Sequence, residues 1–219
     1  MEVVQLSDPV EFLERAAPLL LADEARHNLI LGLAGTIRDQ PARYGEIALW
    51  LVEDAGTVVG AALRTLPYRL VLAQPRTAAA LPTLADAIDN LPGVVGGVAE
   101  ARDFADAWTA KTGAVARVDV GQGVYALERV VPPRPAAGAH RPAGEPDREL
   151  LLEWLRAFAT EAFGEPTPDA ELQRMIDMRV TDDPDFGFVL WEDEGRPVSL
   201  TGFGSPTPTG MRIGPVYTP

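Results

Sequence analysis

The sequence contains no cysteine, which excludes disulfides, thiolate metal ligands and a cysteine nucleophile. Serine is nearly as scarce. Ser7, Ser199 and Ser205 are the only three, and none sits in a Gly-x-Ser-x-Gly turn, so a serine hydrolase is not expected. The two histidines, His27 and His140, lie far apart, and no carboxylate spacing completes a metal site with either. No metal is therefore expected; His27 is placed on a helix surface and His140 at a linker exit. Lys111 is the only lysine, so nearly all positive charge is arginine, a bias that with the abundant Ala and Pro fits a high-GC bacterial genome. Nineteen Lys+Arg face 32 Asp+Glu, a net charge of −13, with no basic stripe to offset it. A phosphate backbone would be repelled, and nucleic acid is not an expected partner. No apolar run approaches the roughly 20 residues that span a bilayer, and Met1–Val4 carries no basic segment ahead of an apolar one. No membrane partner is expected, and the chain reads as cytoplasmic.

Enough apolar material is present to build a core. Hydrophobic residues make up 47% of 219 residues and charged ones 23%, which suits two small domains better than one. Asp8-Pro9-Val10-Glu11 reads as a helix start, with Asp as cap, Pro at the first helical position and Glu reaching back. A second helix is expected over Arg26–Leu33. Strands are expected over Ile47–Glu53, Thr57–Leu66 and Arg69–Ala73, the first two joined by Asp54-Ala55-Gly56. Thr77–Asn90 and Arg102–Lys111 read as helices, and Val94–Val98 as extended. Gly93–Gly97 lacks the Gly-Lys-Ser/Thr of a phosphate loop and reads as a buried strand with a bulge. Val115–Val120 and Val124–Leu127 are spaced to pair across Gly121-Gln122-Gly123.

Three prolines and no periodicity mark 131–139 as a linker between a lobe over 1–130 and another over 140–219. In the second lobe Glu149–Phe163 is a helix with Leu151, Leu155, Phe158 and Ala162 on one face. Thr167-Pro168 opens a further helix, and Phe186–Trp191, Pro197–Gly204 and Met211–Thr218 read as strands. Leu51–Val59 superposes on Leu190–Val198 at an offset of 139, identical at five of nine positions. Turn chemistry alone favours Glu-Asp-x-Gly and accounts for two or three of these. The shared order of elements around the match points to a duplicated unit. By that comparison the second lobe is expected to be incomplete, with an open sheet edge and an uncovered face.

This order of elements, twice over, resembles the GNAT N-acetyltransferase fold. Gly187–Ser199 is similar to that family's second and third strands, and Met211–Pro219 to its fourth. The diagnostic Arg/Gln-x-x-Gly-x-Gly/Ala loop would begin just beyond Pro219. The resemblance implies an α/β fold of two lobes, each a mixed, mostly antiparallel twisted sheet flanked by helices. It implies acetyl transfer from acetyl-CoA to a primary amine, small-molecule or peptide. Gly214-Pro215 would break the ladder and splay the sheet. Val216, Tyr217 and Thr218 would then bind the coenzyme and present a backbone N–H to the oxyanion. Trp154 and Phe158 would line the acceptor site, although aromatics at that spacing also suit a core. No general acid or base is assigned: Glu161 and Glu192 are conceivable bases, and each also reads as a solvated carboxylate. No glycine occurs between Gly60 and Gly93, so the first lobe is expected to bind no acetyl-CoA. The alternative is a non-catalytic interaction module that self-associates through its open sheet edge.

Overall fold

The computed structural model describes all 219 residues as an α/β protein of two compact units, Met1–Ala126 and Leu127–Pro219. In the first unit β1(Glu2–Leu6), α1(Pro9–Leu20) and α2(Asn28–Asp39) precede β2(Ile47–Asp54), β3(Thr57–Thr65) and β4(Leu70–Leu72). α3(Ala80–Ala87), β5(Val94–Val95) and α4(Val98–Thr112) follow. The sheet runs β1-β2-β3-β4-β5, antiparallel except for the parallel β4–β5 pair. Successive side chains of a strand point to opposite faces, and here both faces are buried. Leu49, Leu51 and Leu63 pack with Phe12, Leu20 and Ile30 of α1 and α2. Trp50, Val52, Ala62 and Leu72 pack with Leu81, Leu84 and Phe104 of α3 and α4. That two-sided burial is why β2 is a continuous apolar run.

The second unit comprises β6(Ala139–Pro142), α5(Arg148–Phe163), α6(Asp169–Asp177), β7(Gly187–Asp193), β8(Arg196–Gly204) and β9(Arg212–Tyr217). Its sheet is wholly antiparallel, in the order β6-β7-β8-β9. Leu151, Leu155 and Ile176 cover one face, against Phe188, Leu190 and Leu200. The buried side of α5 carries Trp154 and Ala159, whereas the expected Ala162 is exposed.

The two sheets match residue by residue. β2 and β3 pair Leu51 with Ala61, Val52 with Gly60 and Glu53 with Val58; β7 and β8 pair Leu190 with Leu200, Trp191 with Ser199 and Glu192 with Pro197. Every position is shifted by the same 139, including a bulge after Val52 and after Trp191. Both turns hold two left-handed residues, Ala55 and Gly56 at φ 47° and 77°, Glu194 and Gly195 at φ 49° and 75°. This is the twist that two-residue hairpins require.

Several expected elements differ. Asp8 caps α1 by accepting from the Val10 N–H at 2.8 Å, but Glu11 pairs with Arg15 instead of the cap. α2 begins at Asn28 and α3 is shorter than Thr77–Asn90, since Ile88 is already extended. α6 has no side-chain cap from Thr167. β5 is two residues long and Val95 is 39% exposed, because Gly97 starts α4 at Val98. The hairpin expected over Val115–Leu127 does not form; Val115 and Tyr125 are 95% and 94% exposed. A two-stranded ribbon is marginal without a third strand or a packed face, and this stretch has neither. Residues 131–138 form no helix or strand and are exposed. No helix is long and apolar enough to cross a membrane.

Candidate functional site

In the second unit, α5 and β9 bring together Trp154, Phe158, Glu161 and Tyr217, which sequence analysis singled out for three separate reasons. Trp154, Phe158 and Glu161 recur at i, i+4 and i+7, which places them along one side of α5. Gly164, left-handed at φ 75°, ends the helix, and its N–H bonds to the Thr160 carbonyl. Tyr217 pairs with Leu200 in the ladder, and that register turns its ring toward α5. The ring meets Trp154 edge-on at 6.4 Å between centroids and Phe158 at 6.2 Å. Phe163 adds a further edge contact to Phe158 at 5.9 Å. Such edge-to-face geometry sets the positive rim of one ring against the negative face of another. Trp154 lies within the core, whereas Phe158 is half-buried.

The Tyr217 hydroxyl donates to Glu161 Oε1 at 2.8 Å. That hydrogen bond, with burial and the carboxylate charge, pushes the phenol above its ordinary pKa and keeps it protonated. Glu161 is otherwise exposed, at the end of α5. Along β9 the Tyr217 carbonyl accepts from Ser199 Oγ, which accepts in turn from Thr218 Oγ1, both at 3.0 Å. Ser199 therefore holds the strand end in place, and no base adjoins it. Val216 is 57% exposed and Thr218 is exposed.

A break in the ladder precedes these residues. Register shifts between Thr201 and Phe203, where Gly202 faces Gly214-Pro215. A Cβ on Gly202 would stand 2.7 Å from the Gly214 carbonyl oxygen and 2.9 Å from Pro215 Cδ. Glycine there is what lets the bulged strand approach. Gly214, at φ 148°, has open space where a Cβ would stand. β9 has no strand on its outer side.

The other candidates have structural roles. Glu192 accepts from Arg141 Nε at 2.8 Å, and the same guanidinium grips Asp147 at 2.7 and 2.8 Å. Asp147, bonded to Arg141 and to the Gly144 N–H, is held below the usual carboxylate range. His27 is 4% exposed, contrary to the expected surface position. Its Nδ1 lies 2.8 Å from the Leu20 carbonyl and its Nε2 accepts from the Gln74 N–H at 3.0 Å, which fixes the tautomer protonated on Nδ1. His140 is exposed on β6. No group of three or more His, Asp or Glu side chains converges in metal-binding geometry.

Sequence reasoning missed the Tyr217–Glu161 pair, the Arg141 network and the buried His27. Only the Tyr217 pair left a trace, in the i+7 spacing of Glu161 from Trp154. Where the second unit has Tyr217, the first has Ala73, fully buried and bonded through its N–H to Ala61. The first unit thus carries no comparable aromatic–carboxylate corner. No protein-family model, curated protein or solved structure matches this chain.

Proposed function

We propose that the chain belongs to an N-acetyltransferase of the GNAT type, which moves an acetyl group from acetyl-CoA to a primary amine. The observation that carries this reading is the interrupted strand β9, free on its outer edge and joined through Tyr217 to Glu161. Acetyl-CoA supplies the activated acetyl thioester. An extended pantetheine arm binds as an added strand, and the free edge of β9 beside Gly214 and Val216 suits it. The residues present fit that part of the coenzyme. A pyrophosphate needs backbone N–H groups at a glycine-rich helix start. After β9 the 219 residues contain no helix, and α3 of the first unit is preceded by Gln74–Ala79, without glycine.

Direct transfer to an amine needs no covalent enzyme intermediate, which suits a chain so poor in nucleophiles. Backbone N–H groups at Val216–Thr218 serve the developing oxyanion. Glu161 holds Tyr217 and keeps Oε2 available for a cationic amine. Trp154 and Phe158 set the position of Tyr217 from beneath. Calorimetric titration with acetyl-CoA tests the reading. The product of the whole reading frame encoding these residues should bind saturably, and the 219 residues alone weakly. Absence of binding by the whole product would sink the proposal.

A second reading, a non-catalytic interaction module, is favoured by one observation, the uncovered face of the β6–β9 sheet.

A further inference from the structure

We draw no further inference here: the strongest candidate, the exposed, valine-rich segment over residues 115–131 that runs without helix or strand between α4 and β6, carries none because nothing in the structure shows what covers it.

Discussion

At His27, which is buried, both ring nitrogens are engaged: one faces the Leu20 carbonyl and the other receives the N–H of the exposed Gln74. Replacing it with Leu keeps much of the volume but removes the partner of the buried Leu20 carbonyl and of the Gln74 amide. His27→Leu should lower stability by about 1–3 kcal/mol, the desolvation cost of buried unpaired groups. Urea unfolding measures it, and an unchanged midpoint would contradict the assigned hydrogen bonds. Tyr217 makes a prediction in pH. Its pKa is raised, first by the hydrogen bond to Glu161, so the folded state holds the phenolic proton more tightly than the unfolded chain. The stabilisation is therefore complete below about pH 10, the ordinary tyrosine pKa, and is lost as pH rises through the higher folded value. Tyr217→Phe should remove that part of the alkaline loss. Identical pH profiles of the two proteins would show that the pair contributes nothing.

Little of this was legible at the residue scale. His27 precedes an apolar helix with no feature separating a surface position from a buried one. The partner of its Nε2 is the N–H of Gln74, 47 residues away, on the loop after β4. Glu192 sits in a turn sequence that looks solvated, and only the pairing of β6 with β7 brings Arg141 to it. Trp154 and Phe158 were named together but apart from Glu161 and Tyr217, because helical spacing is local and the approach of β9 to α5 is not.

At the scale of elements, legibility followed locality. The hairpins β2–β3 and β7–β8 were readable because Asp-Ala-Gly and Asp-Glu-Gly specify their turns within four residues. The helix start at Asp8-Pro9 was readable for the same reason. The expected hairpin over Val115–Leu127 failed because alternating apolar residues say where a strand could form and not whether a neighbour exists to pair with it. The short β5 shows the same limit: Gly96-Gly97 ends it early and hands the chain to α4. Gly202 offers the sharpest test at this scale. A methyl group there would stand 2.7 Å from a backbone oxygen of the bulge, and the backbone must move to admit it. Gly202→Ala should weaken the β8–β9 pairing, with faster amide exchange over Arg212–Tyr217 and little change in β6–β7. Uniform exchange across the sheet would contradict the role given to the Gly214-Pro215 bulge.

At the scale of the whole molecule the two units are unequal versions of one plan. The first buries both faces of its sheet beneath helices, whereas the second packs helices on one face. The duplication was legible because five of nine hairpin residues repeat at one offset, and the common bulges and turn angles extend it beyond what turn preference requires. The chemistry was less legible, since it rests on a resemblance to a family and on the aromatic–carboxylate corner at Tyr217. The net charge of −13 bears on it, because an acidic field draws cationic amines and its effect weakens with salt. The most direct test is turnover of acetyl-CoA by the whole reading-frame product against a panel of primary amines, following free CoA and the acetylated amine together. The account predicts equal amounts of both products, with cationic amines preferred at low salt. Folded protein that releases no CoA above the protein-free rate with any amine would contradict it.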